Sequence, residues 1–126
     1  MILADTDVLI DALRGRDPSR ARIEEGLERG TLATTTISAF ELSSGARSDR
    51  QANAIRDLLA AMPLFSFDLE SAKAAARIRL ELEGSGRKIG MGDYLIAGIA
   101  VSRSVPLLTR NRKHFERVPG LQLADL

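Results

Sequence analysis

Short apolar runs alternate along this chain with longer segments of helical periodicity. Four β-prone runs stand at 2–4, 31–35, 64–67 and 105–108. Helical segments, marked by apolar residues three and four positions apart or by capping residues, are expected over 8–13, 18–30, 37–45, 52–62, 69–83 and 93–102. A turn with a short helix is expected over 109–115, and a final edge strand over 121–123.

The alternation of strands and helices predicts an α/β fold. We expect a central, mainly parallel sheet flanked by helices in a three-layer sandwich, because parallel strands need long crossover connections. A length of 126 residues suits one domain, 1–126. Ligands of such sheets bind beyond the carboxyl ends of the strands, and Asp5 and Thr109 each follow a strand directly.

The composition excludes several kinds of chemistry. The chain has no Cys, which rules out disulfides, zinc–thiolate sites and a thiol nucleophile, and its single His, His114, is little material for a histidine-based triad. Aromatic residues are only 4%, so stacking platforms for single-stranded bases are not expected. No apolar run reaches membrane-spanning length and Met1 leads directly into a strand, which predicts a cytoplasmic protein.

The charge balance leaves an RNA partner possible. A net charge of +1 creates no global positive field of the kind that marks many nucleic-acid binders. Fifteen of the 18 basic residues are nevertheless Arg, the residue suited to bidentate phosphate contacts. If several acids gather in one site, the remaining surface is correspondingly basic.

Asp93 stands at the head of a segment that carries no other charge until Arg103. A segment that is apolar almost all round is typical of a buried helix. An ionised carboxylate there is costly unless something pairs with it, which makes Asp93 a candidate site residue. The alternative is that Asp93 is a helix N-cap facing water, with Gly92 supplying the turn.

Three further acids lie near the ends of predicted strands. Asp5 and Asp7 follow the first strand, with helix capping as the alternative role. Glu41 comes shortly after the second strand, but Ser38 and Glu41 have capping-box spacing, and taken alone this favours a structural role for Glu41.

The segment 109–115 combines oxygen donors with positive charge. Thr109 and Asn111 supply oxygen ligands or hydrogen bonds, while His114 is expected to be a surface or cap residue. The alternative for the segment is a solvated basic turn. Oxygen ligands without Cys or a useful His suit Mg²⁺ or Mn²⁺, and clustered carboxylates predict raised pKa values in the metal-free site.

Four segments together resemble the PIN-domain ribonucleases, and among them the VapC-type toxins of bacterial toxin–antitoxin pairs. They are LADTDVLID at 3–11, SAFEL at 38–42, GRKIGMGDYLIA at 86–97 and LLTRNRKHF at 107–115. The resemblance runs from residue 2 to about 121, in the family order. It implies an α/β sandwich with a central parallel sheet and Mg²⁺- or Mn²⁺-dependent endoribonuclease activity.

The resemblance also implies roles for individual acids. By position, the catalytic and metal-binding acids are Asp5, Glu41 and Asp93, with Asp5 and Asp93 as the expected direct metal ligands and Glu41 placing the water or binding a second ion. The fourth acidic position of the family falls on Asn111, which is counted with the catalytic residues but bears no negative charge. This suggests that a second metal is held weakly, or only with substrate present.

The remaining implications concern supporting residues and partners. Asp7 stands where the family usually has Asn or Ser and adds a charge to the site, which Thr109 also supports. Residues expected to hold RNA phosphates are Arg87, Arg110, Arg112 and Lys113. Like its relatives, the protein is expected to form a homodimer that a small antitoxin neutralises. The toxin–antitoxin complex contains this dimer or a larger assembly.

Two other functions fit parts of the sequence. Asp5 and Asp7 after a strand also match the aspartate-nucleophile phosphatases of the haloacid dehalogenase type, although the acids after Asp93 are only Glu116 and Asp125, which are not adjacent. A non-catalytic module that grips RNA or a partner is the other alternative, and Asn111 is the feature that allows it.

Overall fold

The computed structural model describes residues 1–126, which form four strands and seven helices. The strands are β1 (Ile2–Ala4), β2 (Leu32–Thr35), β3 (Leu64–Phe65) and β4 (Leu107–Leu108). The helices are α1 (Thr6–Leu13), α2 (Ser19–Arg29), α3 (Thr36–Ser44), α4 (Asp49–Ala60), α5 (Leu69–Gly84), α6 (Met91–Arg103) and α7 (Arg112–Phe115).

The strands form one parallel sheet in the order β3-β2-β1-β4. Leu3 at its centre pairs with Ala33 on one side and Leu107 on the other. Because β1 lies between β2 and β4, the residues that follow these three strands meet at one edge of the sheet. The predicted final strand over 121–123 is wrong except for a single bridge between Leu107 and Leu123.

Helices cover both faces of the sheet, because successive strand residues point to opposite sides. Leu3 and Leu107 belong to one buried cluster, with residues of α5 and α6. Ala4 and Leu108, the next residue in each strand, belong to a second cluster with residues of α1 to α4. The predicted three-layer α/β sandwich with a parallel central sheet is therefore confirmed.

Two helix starts differ from the alternatives that the local sequence offered. The N-cap of α3 is Thr35, whose hydroxyl accepts a hydrogen bond from the Ser38 amide, so the capping box predicted from Ser38 and Glu41 is wrong. Helix α6 begins at Met91 after Gly90, which makes Asp93 its third residue and not the N-cap. Both acids are therefore free of the capping roles that competed with a functional one.

Helix α6 is the buried helix that the apolar run predicted. Its residues from Ile96 to Ala100 are all buried, and it packs closely along α5. None of the helices combines the length and the apolar character needed to cross a membrane.

Gly98 lets α5 and α6 approach each other. A methyl group on Gly98 would lie 2.6 Å from the Ser71 carbonyl oxygen and 2.7 Å from Ala75 Cβ, which the packed backbones cannot accommodate without moving apart. We predict that Gly98→Ala lowers the free energy of unfolding by about 1–3 kcal/mol, as overpacking does elsewhere. Urea denaturation followed by circular dichroism measures the change.

Gly84→Ala is the matched control for this substitution. Gly84 is the last residue of α5, the helix against which Gly98 packs, but nothing lies within 4 Å of the added methyl group. It is therefore expected to leave the free energy of unfolding unchanged or slightly higher, since Ala is the better helix former. Equal stability of the Gly98→Ala and wild-type proteins would contradict the close packing of α5 on α6.

Candidate active site

Asp5 occupies the centre of the candidate site, at the carboxyl end of β1. It is the N-cap of α1 and only 5% exposed. Its Oδ1 accepts a hydrogen bond of 2.8 Å from the Thr6 amide, and its Oδ2 one of 2.7 Å from the Thr109 hydroxyl. Thr109 follows β4, so two neighbouring strands hold this carboxylate between them.

Asp7 lies beside Asp5 in the first turn of α1. Its Oδ2 accepts a hydrogen bond of 3.1 Å from the Arg110 amide and lies 3.4 Å from the Thr109 hydroxyl. The segment after β4 therefore contacts both acids of α1.

Glu41 reaches the same edge of the sheet from α3. Its Oε1 accepts a hydrogen bond of 2.6 Å from the Thr6 hydroxyl, the residue between Asp5 and Asp7. Gly92 in the first turn of α6 makes room for it, because a methyl group there would lie 3.1 Å from Glu41 Oε2. Glu41 thus stands between the start of α1 and the start of α6.

Asp93 completes the group from the first turn of α6. Its Oδ2 lies 3.4 Å from Asn111 Nδ2 and 3.4 Å from His114 Nδ1, and these two nitrogens are 2.8 Å apart. The His114 side chain is 43% exposed, as expected of a surface residue, but its ring also contacts a site carboxylate, which the sequence did not predict.

Burial and mutual repulsion shift the site acids toward their protonated forms. Burial, followed by the negative charge of Asp7, raises the pKa of Asp5 to about 7. Burial also raises the pKa of Asp7, although the amide and the guanidinium of Arg110 oppose the shift. Burial raises the pKa of Asp93 against the opposing effect of His114, with repulsion from Glu41 as a further contribution.

The side chains of the site are of the kind that binds a hard divalent cation, although they are not arranged around one point. No three carboxylate or imidazole groups converge closely enough to hold a metal ion between them. The available donors are mainly carboxylate oxygens, however, which Mg²⁺ and Mn²⁺ prefer. No ion pair reaches the buried Asp5, because the nearby Arg110 pairs with Asp11 and His114 lies against Asp93, so a cation would supply the missing positive charge.

The four basic residues predicted to hold RNA differ in their surroundings. Arg110 Nε lies 2.8 Å from Asp11 Oδ2, and Arg112 Nη1 donates a hydrogen bond of 3.0 Å to the Ala124 carbonyl. Lys113 and Arg87 are exposed, and the Arg87 side chain donates a hydrogen bond to the nearby Ser85 hydroxyl. Arg110 and Arg112 are therefore already engaged within the protein.

Sequence reasoning missed three residues that shape the site. Thr6 binds Glu41, His114 contacts Asp93, and Asp11 pairs with Arg110. A signal was present for Asp11, which lies four residues after Asp7 and hence on the same face of α1. His114 follows Asn111 by three residues, but no local pattern indicates that the short helix turns toward Asp93.

Comparison with known proteins identifies the family of this site. Residues 2–121 match the family model of the PIN domain. The chain belongs to the PIN-domain family. This match confirms the resemblance seen in the sequence, and it argues against membership of the haloacid dehalogenase-type phosphatases.

Relatives of this PIN domain include VapC ribonucleases. The tRNA(fMet)-specific endonuclease VapC of Shigella flexneri is 30% identical over 98% of this chain and 96% of that protein. Ribonuclease VapC10 of Mycobacterium tuberculosis is 36% identical over 91% of this chain and 86% of that protein. The relatives therefore belong to the class of nuclease that the sequence predicted.

Solved structures of similar proteins include toxin–antitoxin complexes. The VapBC2 complex of Rickettsia felis, bound to a DNA fragment from its promoter, contains a chain with a TM-score of 0.87 and 28% identity, covering 100% of this chain and 99% of that one. A toxin–antitoxin complex from Klebsiella pneumoniae contains a chain with a TM-score of 0.77 and 26% identity, covering 96% and 95%. The PIN domain thus has the fold of toxins solved with their antitoxins.

The raised pKa of Asp5 predicts how stability depends on pH in the metal-free PIN domain. Between its ordinary value of 3.8 and the folded value of about 7, the folded state holds a proton that the unfolded state lacks. The free energy of unfolding should therefore increase as the pH falls from 8 to 5, by up to about 1.4 kcal/mol per pH unit for each proton taken up. Urea denaturation in EDTA at several pH values measures this.

Asp5→Asn is the control for this pH dependence, because it removes the titrating group and keeps the shape. We expect a smaller slope in this variant, with the remainder due to Asp7 and Asp93, whose pKa values are also raised. A wild-type protein that loses stability as the pH falls from 8 to 5 would refute the prediction.

Proposed function

We propose that residues 1–126 act as one PIN-type nuclease domain, an endoribonuclease toxin that depends on Mg²⁺ or Mn²⁺. The observation that carries the proposal is the buried Asp5 carboxylate, which stands beside Asp7 without a basic partner. A purely structural site would not keep like charges together at the edge of a sheet, since burial without pairing is costly. The proposal places the protein in the cytoplasm, where its RNA substrate lies.

Each site residue has a task in this reaction. Asp5 and Asp93 would hold the cation, with Thr109 fixing the rotamer of Asp5 and Asn111 orienting Asp93. When bound, a divalent cation lowers the pKa of water and stabilises the charge that develops on the phosphate and leaving group. Glu41 is held by Thr6 so that its carboxylate accepts a proton from the attacking water.

The cleavage that follows is an in-line hydrolysis. The water oxygen bonds to phosphorus as its proton passes to Glu41, while the bond from phosphorus to the 3′ oxygen breaks and that oxygen takes up a proton from solvent. The products carry a 5′-phosphate and a 3′-hydroxyl. Asp7 adds negative charge beside Asp5 and compensates for the neutral Asn111. Among the four basic residues expected to hold RNA, Lys113 and Arg87 are exposed and form no ion pair, which leaves their charges available to RNA phosphates.

The protein partner proposed for this domain is a small antitoxin, as in the complexes formed by its structural relatives. A groove of about 500 Å³ between α1, α3 and α4 is lined by apolar side chains that include Ile10, Leu13 and Ile55. Glu41 also lines it, so a helix seated in the groove would reach the active site. We further propose that the toxin is a homodimer within the toxin–antitoxin complex.

The first test of this function is metal-dependent cleavage of a structured RNA. We predict that Asp5→Asn and Asp93→Asn each reduce the cleavage rate at least about a hundredfold, because each removes a charged metal ligand. EDTA should abolish cleavage by the wild-type protein, and Mg²⁺ or Mn²⁺ should restore it. Gel analysis of end-labelled RNA measures the rate and the ends of the products.

Asp57→Asn is the matched control, because Asp57 is an exposed acid of α4 that makes only a loose pair with Arg56. It should cleave RNA at the wild-type rate. Equal activity of the wild-type, Asp5→Asn and Asp93→Asn proteins would refute the site. RNA binding without cleavage at any metal concentration would favour the non-catalytic alternative that Asn111 allows.

The second test concerns the antitoxin groove. Leu13 lines the groove and is 37% exposed, so Leu13→Glu should change binding with little effect on the core. We predict at least about a tenfold loss of affinity for the product of a short reading frame just upstream, since a charge would be buried against an apolar helix. Isothermal titration calorimetry measures the affinity.

Leu80→Glu is the control for this substitution. Leu80 lies on α5, on the opposite face of the sheet, and is 76% exposed. It should leave the affinity for the antitoxin unchanged. Equal loss of affinity in both variants, or in neither, would place the antitoxin elsewhere.

A further inference from the structure

The segment Thr109 to Asn111 contacts three of the four site carboxylates. The Thr109 hydroxyl donates to Asp5, the Arg110 amide donates to Asp7, and the Asn111 side chain lies against Asp93. The Asn111 amide in turn donates to the Thr109 hydroxyl oxygen over 3.0 Å. The geometry of the acids therefore depends on where this short connection between β4 and α7 is held.

The Arg110 side chain ties this segment to α1. Its Nε lies 2.8 Å from Asp11 Oδ2, and the Asp11 side chain is only 8% exposed. The Ser19 hydroxyl of α2 donates to the same oxygen over 3.3 Å. Because Asp7 and Asp11 are one turn apart on α1, Arg110 binds one acid through its amide and the next through its guanidinium.

This pairing limits what Arg110 can do for RNA. To bind a phosphate with its full guanidinium, Arg110 would have to leave Asp11, and a buried carboxylate without its partner is strongly unfavourable. Lys113 has no such partner and is exposed. The two basic residues are three positions apart, yet their surroundings assign them different tasks.

We propose that Arg110 is a positioning residue, whose ion pair with Asp11 holds Thr109 to Asn111 against the site carboxylates. The inference rests on the proposed function, since the carboxylates so positioned are those that would bind the cation. It reassigns a residue that the sequence had placed among the RNA contacts. Asp11, which contacts no site acid through its own side chain, becomes part of the support for the metal site.

The test is a set of variants measured first for Mn²⁺ affinity, by calorimetry without RNA. Asp11→Asn and Arg110→Gln each weaken the ion pair without leaving a bare apolar gap. Each should weaken Mn²⁺ binding about tenfold or more, the usual effect of losing the support of a metal ligand. Arg110→Lys should bind Mn²⁺ more tightly than Arg110→Gln does. The double variant Asp11→Asn/Arg110→Gln should bind Mn²⁺ no more weakly than the single variant with the lower affinity, because both substitutions remove the same ion pair.

Kinetics and hydrogen exchange separate positioning from RNA contact. Both single variants should lower kcat with KM for RNA within twofold of wild type, whereas Lys113→Ala should raise KM and leave Mn²⁺ affinity unchanged. Exchange of the Arg110 amide hydrogen should be faster in Asp11→Asn, a readout that needs neither metal nor RNA. This exchange rate reports on the ion pair whether or not the domain cleaves RNA.

Arg110→Gln that raises KM and leaves Mn²⁺ affinity and kcat at wild-type values would overturn the proposal, because it would show that Arg110 contacts RNA. Wild-type exchange of the Arg110 amide in a folded Asp11→Asn protein would overturn it too. Circular dichroism confirms that each variant is folded before it is compared.

Discussion

The hydrogen bond between Thr109 and Asp5 connects the active site to the sheet beneath it. Asp5 follows the central strand and Thr109 follows its neighbour β4, so this contact of 2.7 Å forms only when the two strands are paired in register. The carboxylate it fixes is buried and lies beside Asp7, with no basic group to neutralise it. The fold thus brings together carboxyl groups whose ionised forms are disfavoured, and a divalent cation would stabilise those ionised forms.

The other acids reach the same edge by different routes. Glu41 arrives on α3, directly after β2, and is held by the hydroxyl of Thr6. Asp93 arrives on α6, whose apolar surface packs into the cluster that also contains Leu3 and Leu107. Strand pairing and helix burial therefore set the positions of acids that lie far apart in the sequence, which explains why they meet at the edge of an apolar core.

Much of the fold could be predicted from the sequence, because strand runs, helix periods and capping residues are local signals. Asp68 as the cap of α5 and Pro106 just before β4 both follow from such signals. The common location of Asp5 and Thr109 could also be predicted, because residues that follow parallel strands share an edge. Asp93 was indicated by the absence of any other charge between it and Arg103 at the end of its helix.

What could not be predicted depends on side-chain directions and on competition between neighbours. Thr35 is the N-cap of α3, three residues before Ser38. Ser38 therefore lies inside the helix, and the capping box suggested by Ser38 and Glu41 does not form. His114 contacts Asp93 because of the rotation of α7 about its axis. A helix of four residues is too short to show a sequence pattern that predicts this rotation. Arg110 pairs with Asp11 across 99 positions of sequence, and only the folded chain shows that contact.

The most direct test of the account is anomalous diffraction from a crystal of the protein grown with Mn²⁺. We expect an anomalous peak within coordination distance of carboxylate oxygens of both Asp5 and Asp93. A well-ordered site with no peak at saturating Mn²⁺, or with a peak bound elsewhere on the molecule, would contradict it.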